Sequence, residues 1–121
     1  MPKLLIVDDE IDIREFAKRF FLKRHIDVFT ASGGSEALQI IEKERPELVL
    51  LDINMEQING LEVLKRLREK KDSTKVIMVT GVNDENVVKE ITGLGIEGYI
   101  HKPLVLEELQ NIVMAKLEIN K

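Results

Sequence analysis

The stretch KLLIVDDE at residues 3–10 decides the fold, because an unbroken apolar run leads straight into acidic residues. Such a run, without alternation of polar and apolar residues, is typical of a strand that is buried on both faces of a parallel sheet. A second run of this kind, LVLL at 48–51, ends at Asp52. The carboxyl ends of parallel strands open on one edge of the sheet, where ligands bind. We therefore expect Asp8, Asp9 and Asp52 to lie together at that edge.

Short apolar runs alternate with longer segments of helical periodicity along the whole chain. Strands are predicted at residues 3–7, 26–30, 47–51, 75–79 and 98–101. Helices are predicted at residues 11–23, 35–44, 61–69, 84–94 and 106–117. Helix starts are indicated by Ser32, Ser35, the pair Asn59-Gly60 and Asp84, and a helix stop by Gly93-Leu94-Gly95. The alternation predicts an α/β fold with parallel strands and right-handed crossovers.

The composition is that of one globular domain, which we expect to span residues 1–121. Hydrophobic residues make up 44% of the chain and charged residues 33%, and no apolar stretch approaches the ~18 residues of a membrane span. The net charge of −4, without a basic block, argues against nucleic-acid binding by this domain. There is no cysteine, so disulfides and thiolate metal sites are excluded. The first residues lack the features of a signal peptide, and we expect a cytoplasmic protein that does not bind membranes.

Two more polar residues follow predicted strands, Thr80 after KVIMV and Lys102 after GYIH. The same edge would then hold three carboxylates, a hydroxyl and an ammonium. Mg²⁺ binds carboxylate oxygens and keeps several waters, which leaves room for a phosphate oxygen. A carboxylate can act as a nucleophile towards a phosphoryl group when a metal and a lysine neutralise the charges. Thr80, beside the small Gly81, could donate a hydrogen bond to a phosphoryl oxygen.

Four motifs together carry a family resemblance: VDDE at 7–10, LDINM at 51–55, VTG at 79–81 and YIHKP at 99–103. On these motifs the chain resembles the receiver domain of two-component response regulators, in particular the single-domain, chemotaxis-regulator-like members. The resemblance implies a doubly wound, flavodoxin-like fold, with five parallel strands in the order 2-1-3-4-5 flanked by five helices.

The resemblance also implies a role for each site residue. Asp52 would be the phosphorylated residue, and Mg²⁺ would be held by Asp8, Asp9, Asp52 and the main-chain carbonyl of Asn54. Thr80 and Lys102 would bind the phosphoryl group, and Tyr99 is similar to the aromatic residue that moves together with the threonine. Access of water to the phosphoryl group would depend on three positions, namely Asn54, Gly81 and Val82. Glu56 occupies a place where the family usually has proline.

The implied function is that of a phosphorylation-activated switch rather than an enzyme that turns over a substrate. A sensor histidine kinase or a histidine phosphotransfer protein would supply the phosphoryl group. Phosphorylation would change a partner-binding face around residues 81–106. The output would pass to a downstream effector protein or to a C-terminal output domain beyond this chain.

Other interpretations of the same residues stay open. The pair Asp8-Asp9 alone could cap a helix, and His25 and His101 are expected at the surface or at a strand edge, because neither has a second ligand at metal-binding spacing. A flavodoxin-like cofactor binder or a dinucleotide-binding domain needs a phosphate-cradling loop in place of the acidic residues. A haloacid-type phosphohydrolase is the strongest enzymatic alternative, but such an enzyme has a second aspartate two residues after its nucleophile, where this chain has Asn54. The remaining alternative is a docking module that is no longer phosphorylated.

Overall fold

Strands and helices alternate strictly in the computed structural model, which describes residues 1–55, 59–81 and 85–117. The strands are β1 (Lys3–Val7), β2 (Asp27–Ala31), β3 (Leu48–Asp52), β4 (Lys75–Thr80) and β5 (Gly98–His101). The helices are α1 (Ile11–Leu22), α2 (Gly34–Glu44), α3 (Gly60–Glu69), α4 (Glu85–Leu94) and α5 (Leu106–Lys116). Within this described part, no helix is long and apolar enough to cross a membrane.

The strands form one parallel sheet in the order β2-β1-β3-β4-β5, which confirms the predicted fold class. The strand β3 lies between β1 and β4 and is buried along its whole length, as its unbroken apolar run predicts. The direction of chain progression across the sheet reverses between β1 and β3, and in such folds ligands bind at this switch point. Because Val7 pairs with Leu51, the residues that follow, Asp8 and Asp52, are neighbours across it.

Apolar side chains cover both faces of the sheet in two clusters. Successive residues of β1 point to opposite faces, so that Leu4 and Ile6 belong to one cluster and Leu5 and Val7 to the other. Burial of each such side chain stabilises the fold by about 1.5–3 kcal/mol. The strand ends that carry the polar residues are therefore fixed by the core beneath them. The helical partners in the first cluster include Ala17, Phe21, Leu109 and Val113, and those in the second include Ala37, Ile41, Leu64 and Ile91.

The predicted helix boundaries agree with the structure to within one or two residues, but α2 begins differently from expectation. Its N-cap is Gly33, which has no side chain to cap the helix. Neither Ser32 nor Ser35 supplies one, since the main-chain N–H and the hydroxyl of Ser32 both donate to Glu36 Oε1 instead, at 2.8 and 3.1 Å. The predicted cap Asp84 lies outside the described residues.

The start of α3 and the end of α4 match their sequence signals. The Asn59 side chain caps α3 by accepting a hydrogen bond from the main-chain N–H of Glu62 at 3.0 Å. Gly95 follows α4 with a φ of +92°, a conformation that favours glycine. Both correct signals are local ones, namely a side chain that caps its own helix and a glycine that adopts the conformation needed at a helix end.

The first residue of α3, Gly60, lies directly against the main chain of β3. Its N–H donates to the carbonyl of Ile53 at 3.0 Å. A Cβ atom at position 60 would overlap the carbonyl oxygen of Asp52, so only glycine fits without a shift of α3. The structure also extends β3 by one residue beyond the prediction, so that Asp52 is its last residue instead of following it.

The opposite end of the sheet is held by the guanidinium of Arg68. It donates to four main-chain carbonyls, those of Leu94 (3.1 Å), Gly95 (2.9 Å), Asp72 (2.6 Å) and Thr74 (3.0 Å). One side chain thus ties the loop before β4 to the end of α4. The planar guanidinium holds several N–H donors in a fixed geometry, which suits four separate carbonyl acceptors. The ammonium of a lysine could not make the same set of hydrogen bonds.

Asp72 completes this network through its carboxylate. Burial alone would raise the pKa of the Asp72 carboxyl, but hydrogen bonds from the Thr74 N–H and hydroxyl, together with nearby arginine charges, lower it below its ordinary value of 3.8. A lowered folded-state pKa means that the unfolded chain binds the proton more readily. The stabilisation is therefore fully present above the unfolded value and is lost as the pH falls through the lowered folded value.

We predict that Asp72→Asn lowers the free energy of unfolding by about 1 kcal/mol at about pH 7 and by much less at about pH 3. Urea denaturation at both pH values measures the difference. Glu42→Gln, at an exposed position of α2, is the control and should have little effect at either pH. A penalty for Asp72→Asn that is equally large at low pH would contradict the role given to the ionised carboxylate.

Candidate functional site

Three of the predicted site residues meet at the carboxyl edge of the sheet. The Lys102 ammonium donates a hydrogen bond to Asp52 Oδ2 at 3.0 Å and lies 3.6 Å from Asp8 Oδ2. It also lies 3.8 Å from Glu10 Oε1. The polar residues after β1, β3 and β5 therefore form one cluster, as their positions at strand ends predicted.

The two central carboxylates are almost completely buried, with 3% of Asp8 and 1% of Asp52 exposed. Burial disfavours a charged carboxylate, and it raises the pKa of both Asp8 and Asp52 above the ordinary value of 3.8. Repulsion from Asp52 and Glu10 raises the pKa of Asp8 further, and repulsion from Asp9 raises the pKa of Asp52, while Lys102 offsets only part of these effects. The site therefore holds more negative charge than its own lysine balances.

Each buried carboxylate is oriented by the main chain two residues later. Asp8 Oδ1 accepts a hydrogen bond from the N–H of Glu10 at 2.9 Å, and Asp52 Oδ1 accepts one from the N–H of Asn54 at 3.1 Å. The second oxygen of each group faces Lys102. This arrangement leaves the Oδ2 atoms as the oxygens whose partner can be exchanged.

Lys102 is the cation around which these acids are arranged. Burial alone would lower the pKa of its ammonium, but the hydrogen bond to Asp52 and the charges of three carboxylates raise it above its ordinary value. The residue is held at the main chain as well, since its N–H donates to the carbonyl of Thr80 at 2.8 Å. Lys102 is therefore charged at neutral pH and positioned to reach Asp52 across the end of β4.

Among the described residues, one group of acids is close enough to hold a metal ion, namely Asp8, Asp9 and Glu10, with one carboxylate oxygen from each within 4.8 Å of the others. Asp9 and Glu10 are exposed, while Asp8 is buried. An all-oxygen set with solvent access fits Mg²⁺, which keeps several waters. Asp52 is not part of this group, and its Oδ2 is paired with Lys102.

Thr80 is the last residue of β4 and is 1% exposed. Gly81 follows at the surface, and within the described part of the chain a Cβ atom there would contact nothing within 4 Å. Tyr99 lies on the adjacent strand β5, half-buried against the cluster under α4, with its ring edge-on to His101 at 4.9 Å between centroids. Asn54 is exposed beside Asp52. Val82 and Glu56 lie outside the described residues.

Three residues of the site were not identified from the sequence. Glu10 joins the acidic group and approaches Lys102, and its place in the motif VDDE was the available signal. Gly60 allows α3 to pack on the main chain of Asp52. Arg14 donates from Nη1 to the main-chain carbonyl of Asp8 at 2.6 Å. The last two act on the main chain, and no pattern of side chains reveals such contacts.

We predict that Asp52→Asn raises the melting temperature in EDTA by ~4 °C, about 1 kcal/mol, because it removes a buried charge and keeps an acceptor for the Asn54 N–H. In this variant Lys102 keeps Asp8 and Glu10 as partners, which limits the stability that is lost with its pair to Asp52. Mg²⁺ should then stabilise the wild type more than the variant.

Asp9→Asn is the matched control for calorimetry, since Asp9 is exposed. Its melting temperature in EDTA should change less than that of Asp52→Asn. A lower melting temperature for Asp52→Asn would mean that the Lys102 pair outweighs the cost of burial.

Comparison with known proteins agrees with this geometry. The family model described as "Response regulator receiver domain" matches residues 4–114. The chain is 35% identical over 117 residues to "Sporulation initiation phosphotransferase F" of Bacillus subtilis (strain 168), covering 97% of this chain and 94% of that protein. It is 37% identical over 112 residues to "Response regulator MprA" of Mycolicibacterium vanbaalenii, covering 90% of this chain but only 48% of MprA. The chain thus spans about half the length of this second relative.

A solved structure extends the comparison to three dimensions. The response regulator protein TrrA of Thermotoga maritima, crystallised in complex with Mg(2+)-BeF, superposes with a TM-score of 0.84 at 33% identity, covering 96% of this chain and 99% of that one. The family match covers most of the chain. In the structure, the order of the strands is as predicted, and so are the acids and the lysine at the strand ends. The chain belongs to the response regulator receiver domain family, the phosphorylation-activated switches of two-component signalling.

Proposed function

We propose that Asp52 is the phosphoacceptor of this receiver domain. The observation that carries the proposal is the buried Asp52 carboxylate, 1% exposed, hydrogen-bonded to Lys102 at 3.0 Å beside an acidic group. A carboxylate oxygen of Asp52 would attack the phosphorus of a phosphohistidine. The new P–O bond forms as the P–N bond breaks, and the imidazole leaves. The product is an acyl phosphate on Asp52.

We propose that Mg²⁺ is held by Asp8, Asp9, Asp52 and the main-chain carbonyl of Asn54. The excess of negative charge at the site supports this, as does the complex of the similar TrrA with Mg(2+)-BeF. The metal would neutralise charge on the carboxylates and on the incoming phosphoryl group. The residues of the chain supply the oxygen ligands and the orientation of Asp8 and Asp52 through their main-chain hydrogen bonds.

Lys102 and Thr80 are proposed to bind the phosphoryl group. In the present arrangement Lys102 is shared by Asp52, Asp8 and Glu10 at 3.0–3.8 Å. A phosphoryl group, with a charge of about −1.5 to −2, carries more charge than any one of these carboxylates, so Lys102 would move to it.

This movement of Lys102 is the proposed start of the switch. Thr80 and Tyr99 would follow and change the face around residues 81–106. Population shifts of this kind require only a few kcal/mol, which a few charge-assisted hydrogen bonds supply.

The proposed phosphodonor is a sensor histidine kinase or a histidine phosphotransfer protein in the cytoplasm. A groove of apolar character opens beside the site, lined by Phe16, Pro103 and Leu104 and also by Lys102 itself. Phe16 is 49% exposed. An apolar surface that reaches Lys102, the partner of the phosphoacceptor, supports a protein donor rather than a small metabolite. The output passes to an effector protein or to a further domain.

The proposal does not include turnover of a substrate. A phosphohydrolase needs an acid to protonate the leaving group and then to activate water. The position two residues after Asp52 carries Asn54, whose amide cannot exchange a proton in this way. The phosphoryl group is therefore expected to persist long enough to act as a signal.

The central experiment is phosphorylation of the purified protein by acetyl phosphate with Mg²⁺, followed by intact-protein mass spectrometry. We predict the gain of one phosphoryl group by the wild type and none by Asp52→Asn. EDTA should abolish the gain. Asp27→Asn, which changes an acid at the start of β2, is the matched control and should be phosphorylated normally. Uptake by Asp52→Asn equal to that of the wild type would overturn the assignment of the phosphoacceptor.

Lifetime of the phosphorylated state is predicted to depend on Asn54. Its exposed side chain lies beside Asp52 and can align a water for attack on the acyl phosphate. Asn54→Ala should slow loss of the phosphoryl group by up to about tenfold, or about 1.4 kcal/mol of barrier, without preventing phosphorylation. From the sequence, Val82→Asn should speed the loss.

The measurement is the decay of phosphorylated protein in Mg²⁺ buffer after the donor is removed. Asn54→Asp keeps a side chain that can align water but adds a negative charge. It therefore separates the effect of water alignment from the effect of charge at this position. Decay of Asn54→Ala at the wild-type rate would show that water is controlled elsewhere, with Glu56 as the next residue to change.

A further inference from the structure

Arg14 is tied to the acidic loop through the main chain. It lies one turn into α1, is partly buried, and its Nη1 donates to the main-chain carbonyl of Asp8 at 2.6 Å. Its own N–H donates to the carbonyl of Glu10 at 3.2 Å, as expected at the start of the helix. Arg14 therefore spans both ends of the segment 8–10, and it does so at main-chain atoms rather than at the carboxylates.

The carbonyl that Arg14 binds belongs to the peptide group between Asp8 and Asp9. Because a peptide group is planar, fixing this oxygen also fixes the direction of the Asp9 N–H. The other side of Asp8 is fixed by its N–H, which donates to Ala31 at 3.1 Å. Its carboxylate is fixed by the N–H of Glu10. The one orientation that these contacts leave open is that of the peptide group between Asp8 and Asp9. Arg14 sets it, and with it the direction of the main chain towards Asp9.

Asp9 has no comparable support of its own. Its carboxylate is exposed and, within the described part of the chain, forms no hydrogen bond or ion pair. Its closeness to the carboxylates of Asp8 and Glu10, within 4.8 Å, is therefore a consequence of the main chain beneath it. Removal of a residue that hydrogen-bonds to metal ligands and orients them typically changes metal affinity 10–100-fold.

We propose that Arg14 is a positioning residue for the divalent cation, holding the peptide between Asp8 and Asp9 so that their carboxylates converge before the ion arrives. The inference rests on the proposed function, in which these residues bind Mg²⁺.

The sign of the effect separates positioning from electrostatics. Arg14 carries a positive charge beside an acidic site, so its removal should tighten cation binding if charge alone matters. A positioning role predicts weaker cation binding instead. Without the hydrogen bond from Arg14, part of the binding free energy is used to order Asp8 and Asp9.

The test is a calorimetric titration of the full chain with Mg²⁺ alone, comparing wild type with Arg14→Met and with Arg14→Gln. Both side chains suit a helix, and neither reaches the Asp8 carbonyl as arginine does. We expect each variant to bind Mg²⁺ about tenfold more weakly, which corresponds to ~1.4 kcal/mol. Arg19→Met removes the same charge from an exposed position of α1 and should bind as the wild type does or slightly more tightly.

Phosphorylation by acetyl phosphate at increasing Mg²⁺ gives the second readout. The variants should need about tenfold more Mg²⁺ for the half-maximal rate and reach the wild-type plateau. Mg²⁺ affinity of both folded Arg14 variants equal to or tighter than that of the wild type overturns the inference. Failure of the wild type itself to bind Mg²⁺ would instead overturn the proposed function.

Discussion

Two buried carboxylates share a single ammonium, and the rest of the site is arranged around that constraint. Asp8 and Asp52 end adjacent strands, and their burial raises the pKa of both. Lys102 arrives from β5, which is two strands away from β3, and it must cross the end of β4 to reach them. Its main-chain hydrogen bond to Thr80 fixes that crossing. The order β2-β1-β3-β4-β5 places one lysine over both acids, so the topology is part of the chemistry.

The constraint also bears on the stability of the fold. A pair of apolar residues at these strand ends would avoid the cost of burying charge. The surplus negative charge instead suits the binding of a cation, and the shared lysine has several acidic partners. We expect stability to be given up here in favour of binding. Arg14 and Gly60 contact the main chain beneath the acids. In the proposed positioning role of Arg14, this contact leaves less order to be imposed on binding.

The apolar runs of the sequence predicted all five strands to within one residue. The bounds of β1 and β5 are as predicted, β2 and β3 are shifted by one residue, and β4 ends one residue later. Convergence of Asp8, Asp52 and Lys102 followed from parallel topology alone, whereas the roles of Thr80, Tyr99 and Asn54 stay predictions. Gly60 and Arg14 were not identified because each acts on a carbonyl oxygen, which every residue carries and no sequence pattern distinguishes. The missing side-chain cap of α2 has a similar cause, since Ser32 is engaged by Glu36.

The two ends of the sheet differ in how readily their contacts can be exchanged. At the far end, the four hydrogen bonds of Arg68 reach fixed carbonyls, and the ion pair of Lys65 with Glu90 at 3.0 Å adds a second tie between α3 and α4. Such main-chain contacts are lost only if the loop or helix end itself moves. At the near end, Lys102 has three partners at 3.0–3.8 Å, and leaving one costs little while the others remain. We therefore expect a new anion at the near end to rearrange side chains there first, while the contacts of Arg68 hold the last turn of α4 in place.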